Sequence, residues 1–115
     1  MITMYGIPNC DTVKKARSWI TENGVDYVFH DFKKAGVPPA LDAWIAQLGW
    51  EPLVNRKGTT WRKLDAQAQA AVQDAASAAA LMRANPSVIK RPVVDWNGQR
   101  LTVGFVADDW ATLLG

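Results

Sequence analysis

Residues 2–32 constrain the fold more than any other part of the chain, because their apolar pattern changes period twice. Residues 2–6, ITMYG, have the length and composition of a short strand, which a glycine and a proline end. Residues 10–23 carry apolar side chains at helical spacing, and residues 25–32 return to an extended alternation. A strand, a helix and a second strand in this order predict a parallel, right-handed unit.

The middle of the chain predicts a block of helices. Residues 38–49 place apolar side chains at i, i+3, i+4 and i+7 after a Pro-Pro pair, which indicates an amphipathic helix. Residues 55–65 are polar and turn-rich. Residues 66–84 contain ten alanines and predict two helices broken near residues 74–77, with Ser77 as the cap of the second.

The C-terminal part predicts a hairpin followed by a closing helix. Residues 89–105 contain two β-rich runs separated by Asn97 and Gly98, a pair typical of hairpin turns. Residues 108–115 have the pattern of a helix that begins at Asp108 or Asp109. The resulting order is β-α-β, a helical block and β-β-α. We therefore expect an α/β, thioredoxin-like fold with a mixed sheet and an all-helical insertion.

Length and composition favour one domain. The 115 residues are 49% hydrophobic, which suits a single compact core and not two. We expect one thioredoxin-like domain over residues 1–115, with the helical insertion at about 38–84. No apolar run approaches the roughly 18 residues of a membrane span, and the N-terminus has no charged segment followed by a long apolar one. These features predict a cytoplasmic protein without a membrane partner.

The charge balance argues against nucleic acid as a partner. The chain has 13 basic and 11 acidic residues, for a formal net charge of +2, which is too even for the broad basic field that nucleic-acid binding needs. Any role for basic side chains must be local. Residues 56–63 contain a small cluster of four basic side chains, including Arg56, and Trp61 lies within the same segment. This cluster is either a solvated face or a contact for the carboxylates of a small ligand.

The one cysteine of the chain, Cys10, lies where the first strand gives way to the first helix. At a helix N-terminus, unpaired N–H groups and the helix dipole favour a thiolate over a thiol. Lys14, one turn further on, is expected to add to this effect. We predict a reactive Cys10 with a lowered pKa. The alternative is a small packing residue, which is what most lone cysteines are.

A single cysteine cannot complete a dithiol cycle within the chain, because no resolving sulfur is present. An external thiol must release any mixed disulfide, and glutathione is the abundant candidate. Thioredoxin-like sites also use an X-Pro step before the third strand, and Arg91-Pro92 holds that place here. Its cis or trans state cannot be told from sequence, and an ordinary trans proline at a strand edge is the alternative.

Four motifs recur in order along the chain: YGIPNCDTVKKA at 5–16, GTTWRKLD at 58–65, AASAAALM at 75–82 and PSVIKRPVV at 86–94. Together they resemble the arsenate reductase (ArsC)/Spx family, and most closely its YffB-like subgroup. The resemblance covers essentially the whole chain. It implies a thioredoxin fold with a helical insertion, and for this subgroup a glutathione-dependent thiol reductase activity.

Transferred position by position, the resemblance assigns Cys10 as the nucleophile and Arg91 as an anion-binding residue. Arsenate reductases have a histidine where Gly6 stands here. Their second arginine falls on Asn55, next to Arg56, and their third on Val103 or Gly104. Holding an arsenate ion takes several charge-assisted donors, so these departures disfavour arsenate reduction.

The predicted function is thus a glutathione-dependent thiol oxidoreductase with no bound cofactor or metal. The alternatives are an arsenate reductase, a Spx-like regulator that binds RNA polymerase, and a module that binds glutathione without turnover. The candidate catalytic residues are Cys10 and Arg91, and the candidate substrate-binding residues are Asn9, Asp11, Thr12, Lys14, Arg56 and Pro92.

Overall fold

The structure, a computed structural model, describes residues 1–114. The strands are β1 (Ile2–Gly6), β2 (Tyr27–Asp31), β3 (Val93–Asp95) and β4 (Leu101–Val103). The helices are α1 (Asp11–Glu22), α2 (Phe32–Ala35), α3 (Leu41–Leu48), α4 (Thr59–Lys63), α5 (Ala66–Ala70), α6 (Ala75–Ala84) and α7 (Ala107–Leu114). Two short 3-10 turns, Glu51–Leu53 and Pro86–Val88, complete the order.

Contacts divide the chain into two compact units. The sheet unit comprises residues 1–34 and the chain from Arg91 onward, and the helical unit comprises residues 35–90. In the described chain, the four strands and the helices α1 and α7 belong to the sheet unit. Each unit is built from a different kind of sequence, since the alanine-rich stretch falls wholly in the helical unit.

The sheet has the strand order β2-β1-β3-β4. β1 pairs in parallel with β2, with Met4 opposite Phe29, and antiparallel with β3, with Tyr5 opposite Val93. β3 and β4 form an antiparallel hairpin. This confirms the predicted parallel pairing of the first two strands and the mixed, thioredoxin-like α/β architecture, with helices between the second and third strands.

Helices α1 and α7 share one apolar cluster with the centre of the sheet. Its buried members are Met4, Ala16, Ile20, Val94, Trp96 and Trp110. The helical spacing of Ala16 and Ile20 is what turns one face of α1 toward β1. The approach of α1 is close at Gly6, where a Cβ atom would come 3.0 Å from Cγ2 of Val13. A side chain larger than hydrogen at position 6 would therefore require Val13 to shift.

The hairpin forms as predicted, because Asn97 and Gly98 supply the positive φ angles that the turn requires. Their φ values are 58° and 77°. The Trp96 N–H donates to the carbonyl of Arg100 over 2.8 Å and closes the turn. The predicted closing helix follows as α7. Asp108 and Asp109 lie in its first turn, where acidic side chains interact favourably with the helix dipole.

The helical unit corrects two expectations. The polar composition of residues 55–65 predicts turns, but Thr59–Lys63 within this segment forms a helix. The N-cap of α6 is Asp74 and not Ser77: the Asp74 carboxylate accepts from the Ser77 N–H over 2.9 Å, and the Ser77 hydroxyl accepts from the Asp74 N–H. Ser77 is thus the third residue of a capping box, a reciprocal arrangement that either residue type can begin.

No helix in the part of the chain that the structure describes has the length and apolarity needed to cross a bilayer.

Candidate functional site

Cys10 is the N-cap residue of α1. It follows the short connection after β1 and has an extended backbone, with φ −141° and ψ 125°. Its carbonyl accepts the first intrahelical bond, from the Lys14 N–H over 2.9 Å. The side chain is a half-buried free thiol. The breakers before it and the helix after it therefore hold this sulfur at the positive end of the helix dipole.

Opposing effects act on the pKa of Cys10, and the net result is a lowered value. Burial raises the pKa, since it penalises the charged thiolate. The Val13 N–H, the hydrogen bond and positive charge of Arg91, and the Thr12 N–H lower it and together outweigh burial. The sulfur makes no well-formed capping hydrogen bond to the helix. The Val13 and Thr12 amides belong to the first turn of α1, where unpaired N–H groups and the helix dipole both favour a thiolate.

Arg91 reaches the thiol because of the strand register. β3 runs antiparallel to β1 with Val93 opposite Tyr5, so the residues just before β3 lie beside the chain that leaves β1. Arg91 is half-buried, and its Nε atom is fully buried. A guanidinium removed from bulk water acts on a neighbouring thiolate more strongly than an exposed one. This is the feature that brings the two candidate catalytic residues together.

The step between Arg91 and Pro92 is a cis peptide bond. Pro92 is buried, and its carbonyl accepts from the Gly104 N–H over 2.9 Å. This hydrogen bond joins the segment that carries Arg91 to the loop between β4 and α7.

The other candidates near Cys10 are exposed. Asn9 precedes the thiol, Asp11 and Thr12 begin α1, and Lys14 lies one turn along it. Lys14 is not among the groups that lower the pKa of Cys10, so the expected contribution from its charge is absent. Solvent around this exposed ammonium group screens its field.

Arg56 lies in the helical unit, between two indole rings. Its guanidinium carbon is 5.6 Å from the ring centroid of Trp50 and 5.8 Å from that of Trp61. The chain turns here because the Asn55 carboxamide oxygen accepts from the Lys57 N–H, and Gly58 is the N-cap of α4. Arg56 is exposed and is not among the groups that shift the pKa of Cys10.

Two features escaped sequence analysis. The Val13 amide acts on the thiol, although Val13 is otherwise a core residue with a fully buried side chain. Its position three residues after the N-cap was the available signal, since that amide is one of the unpaired donors of a helix. The second is Trp50, which contacts Arg56 from a separate element and had no signal in the local pattern.

The one histidine, His30, packs against the rings of Tyr5 and Phe32.

Within residues 1–114, no group of three histidine, cysteine, aspartate or glutamate side chains is arranged to hold a metal ion.

Sequence comparison identifies the family. Residues 5–113 match the ArsC family, which is nearly the whole chain. The chain belongs to the ArsC family. An uncharacterised Haemophilus influenzae protein is 42% identical to this ArsC-family chain over 106 residues and covers 91% of each sequence. The global transcriptional regulator Spx of Streptococcus pyogenes is 26% identical over 115 residues, spanning 95% of this chain and 81% of the regulator.

Solved structures agree with this assignment. A YffB protein is 47% identical, covers 100% of both chains and superposes with a TM-score of 0.93. An arsenate reductase (ArsC) related protein from Brucella melitensis is 49% identical, covers 96% of this chain and 92% of its own, and has a TM-score of 0.76. The predicted ArsC/Spx relationship and its YffB-like character are confirmed.

Proposed function

We propose that this ArsC-family protein is a glutathione-dependent thiol reductase that uses Cys10 as its nucleophile. The coarser part, membership of a family with arsenate-reductase-related structures, is established above. The finer part rests on one observation. Cys10 has a lowered pKa although burial opposes ionisation, because the α1 amides and Arg91 favour the thiolate.

A lowered pKa matters because the thiolate is the reactive form in thiol–disulfide exchange. A packing cysteine in an apolar setting would show the opposite shift, since burial alone raises the pKa. The half-exposed sulfur is also accessible to a reagent from solvent. These properties favour catalysis over a purely structural role.

The proposed reaction has two exchange steps. The Cys10 thiolate attacks the glutathione sulfur of a glutathionylated substrate, and the substrate leaves as a thiolate that takes a proton from water. A second glutathione, reacting as its thiolate, attacks the Cys10–glutathione disulfide and leaves as glutathione disulfide, which restores the Cys10 thiolate. Glutathione is the reductant, and the chain needs no second cysteine. Arg91 and the α1 amides stabilise negative charge on the Cys10 sulfur, and Pro92, Asn9, Asp11 and Thr12 are the proposed surroundings of the bound glutathione.

The test measures turnover and the state of Cys10 together. A small glutathione mixed disulfide is supplied with glutathione, and release of glutathione disulfide is followed while intact-mass spectrometry records the protein. We expect turnover, a Cys10–glutathione adduct that accumulates when glutathione is limiting, and an alkylation midpoint below the free-cysteine value of about 8.5. An ordinary midpoint with no adduct would contradict the proposal.

Cys10→Ser is the matched control, because it removes the thiol and keeps a side chain of similar size at the N-cap. This variant should show neither the adduct nor turnover. Turnover that survives in Cys10→Ser would mean that the activity belongs to a contaminant or to spontaneous exchange.

One comparison supports a second candidate function, a Spx-like regulator that binds RNA polymerase. The Spx relatives match almost the whole of this chain. With one cysteine, a switch based on an intrachain disulfide is not available, so such a regulator would act without one. Co-purification with RNA polymerase that is unchanged in Cys10→Ser, together with no reductase activity, would favour this function over the first.

Arsenate reduction remains an alternative with weaker support. The cation that acts on the Cys10 sulfur is Arg91, and a tetrahedral oxyanion needs further charged donors. Gly6, where arsenate reductases carry a histidine, is packed against Val13. An assay of arsenate reduction with glutathione as reductant discriminates the two activities.

A further inference from the structure

A groove runs along the exposed side of α1 within the sheet unit. It has a volume of about 490 Å³ and is mostly apolar. The residues that line it are Lys14, Lys15, Ser18, Trp19, Glu22, Phe105 and Ala107. Its two walls are α1 and the segment from the β4–α7 loop to the first residue of α7, so both walls belong to one unit.

The apolar part of the groove is held in place by ring packing. Trp19 meets Phe105 edge-on, with centroids 6.3 Å apart, and both rings contact the buried Trp110 at 5.8 and 4.8 Å. Trp19 and Phe105 are themselves only partly buried. A partly exposed aromatic surface that is anchored in a core is available to a ligand without the cost of ordering it.

Opposite charges stand at the two ends of the groove. Lys14 and Lys15 lie at the end nearer to Cys10, and Glu22 lies at the other, and these three side chains are exposed. With a rise of about 1.5 Å per residue, Lys14 and Glu22 are separated by about 12 Å along the helix. An extended ligand of three or four residues has this length at about 3.3 Å per residue.

Both walls of the groove are connected along the chain to the Cys10 site. One wall is α1 itself, whose N-cap is Cys10. The other contains Phe105, which follows Gly104, and the Gly104 N–H donates to the carbonyl of Pro92, next to Arg91. A substrate chain whose sulfur reacts at Cys10 and that follows α1 therefore reaches the lysines of the groove after about one turn of the helix.

We propose that this groove binds the polypeptide part of a glutathionylated protein substrate, as an extended segment with an acidic side chain near its cysteine, an apolar side chain next and a basic one beyond. The proposal rests on the proposed reductase function and names the class of substrate. Acidic and basic side chains of the segment pair with the lysines and with Glu22, and the apolar one covers Trp19 and Phe105.

Helix geometry sets the spacing of these side chains. Measured along α1 from Cys10, the two lysines lie at about 6 to 8 Å, Trp19 at about 13 Å and Glu22 at about 18 Å. In an extended segment, where alternate side chains share a face, these distances correspond to positions about two, four and six residues from the reacting cysteine. In the reaction, the Cys10 thiolate takes the glutathionyl group, and the peptide leaves as a thiolate that is protonated by water. A further glutathione then regenerates Cys10.

The test compares three glutathionylated substrates with the intact protein. The first peptide carries glutamate, leucine and lysine at the second, fourth and sixth positions after its cysteine. The second has the two charges exchanged. The third substrate is a mixed disulfide of glutathione with a small thiol, which is too short to reach the groove.

We expect kcat/KM for the first peptide to exceed that for the charge-exchanged one by about fivefold to tenfold, as one or two partly screened charge pairs allow. In Lys15→Glu this preference should shrink, and Ser18→Trp, which fills the groove, should lower kcat/KM for the first peptide. Turnover of the small mixed disulfide and the alkylation rate of Cys10 should not change in either variant. Lys34→Glu makes the same charge change at an exposed lysine that does not line the groove, and it should leave the preference intact.

Equal kcat/KM for the two peptides, or loss of the small-substrate activity in parallel with the peptide activity, would overturn the groove assignment. If the small mixed disulfide is also not turned over by the unmodified protein, it is the reductase function itself that fails. If free glutathione protects Lys15 from acylation as well as the peptide does, the groove holds glutathione and not the substrate polypeptide, which also overturns the proposal.

Discussion

Two arginines, one in each unit, show how differently the two regions of this protein use a cation. Arg91 in the sheet unit is half-buried, has a fully buried Nε atom and lowers the pKa of Cys10. Arg56 in the helical unit is exposed and stands between the rings of Trp50 and Trp61. Strand register sets the position of Arg91, and contacts with two aromatic rings at the surface of the helical unit set the position of Arg56.

The difference teaches that environment, more than residue type, decides what a charge does. A guanidinium in a low-dielectric setting changes the protonation of its neighbour, whereas an exposed one interacts through water and counterions. The sheet unit provides the first setting because β1, β3 and α1 meet around a buried cluster. The helical unit, with short helices and many small alanines, leaves Arg56 at its surface.

The largest effect is expected from Cys10→Ser. A serine hydroxyl does not ionise near neutral pH, so the dipoles that favour a thiolate have no anion to stabilise. We expect turnover of a glutathione mixed disulfide to fall by more than about 1000-fold. Thermal unfolding of the variant should remain cooperative, which separates loss of the nucleophile from loss of the fold.

Arg91→Ala should have the next largest effect, since it removes a charge-assisted hydrogen bond to the sulfur. We expect the rate of Cys10 alkylation at neutral pH to fall by roughly 10-fold to 100-fold, as loss of one such bond implies. Arg91 lowers the pKa of Cys10, so the alkylation midpoint of the variant should move to higher pH. The alkylation rates of the wild type and the variant should converge in alkaline solution, where both thiols are ionised.

Arg91→Lys is the matched control for this prediction. It keeps the positive charge and loses the planar fork, so its midpoint should lie between those of the wild type and the alanine variant. An unchanged midpoint in both variants would mean that the α1 amides alone set the pKa of Cys10.

Arg56→Ala tests the other arginine of the comparison and should have a smaller effect than Arg91→Ala. The variant loses two cation–π contacts at an exposed site, so we expect a loss of about 1 kcal/mol in the free energy of unfolding. The alkylation midpoint of Cys10 should be unchanged. A shifted midpoint would break the distinction between the two arginines.

The smallest effect is expected from Asp74→Ala, which removes the N-cap of α6 in the helical unit. The side-chain and backbone hydrogen bonds from Ser77 lower the pKa of Asp74, so its stabilising effect is complete above about pH 4, the ordinary aspartate value. It is lost as the pH falls through the lower value in the folded protein. The difference in Tm between wild type and variant should therefore be small at neutral pH and shrink in acid, where the protonated carboxyl keeps only a neutral acceptor oxygen.

Asp74→Asn keeps the capping oxygen and cannot ionise, so its difference from the wild type should be smaller still. A pH-independent difference for Asp74→Ala would show that the charge of Asp74 contributes nothing to the cap.

Much of the sheet unit could be predicted from sequence because its signals are local. β1 was predicted to its exact residues, α1 to within a residue at each end, and the hairpin at its Asn-Gly pair. In the helical unit, α4 was missed because five residues of polar sequence carry too little periodicity to distinguish a short helix from a turn. Ser77 was mistaken for the N-cap because either partner of a capping box can supply the first side chain.

For the candidate site, the sequence indicated an acidic Cys10 and paired it with Arg91 by family resemblance. It also assigned a contribution to Lys14, which the structure does not support, because exposure cannot be judged from spacing. The groove beside α1 was not predicted. Trp19 and Phe105 are 86 residues apart in the chain and become neighbours only through folding.

By itself the sequence determined the strands and the longer helices, and that one thiol stands at the start of a helix, because these properties depend on neighbours within a few positions. The tertiary structure decided that Arg91 reaches that thiol and that Trp19 and Phe105 form one surface. Both depend on strand register and on the packing of α1 and α7, which join residues that are far apart in the chain. Desolvation, which sets the strength of every charge in the site, is likewise a property of the packed chain and not of any segment of it.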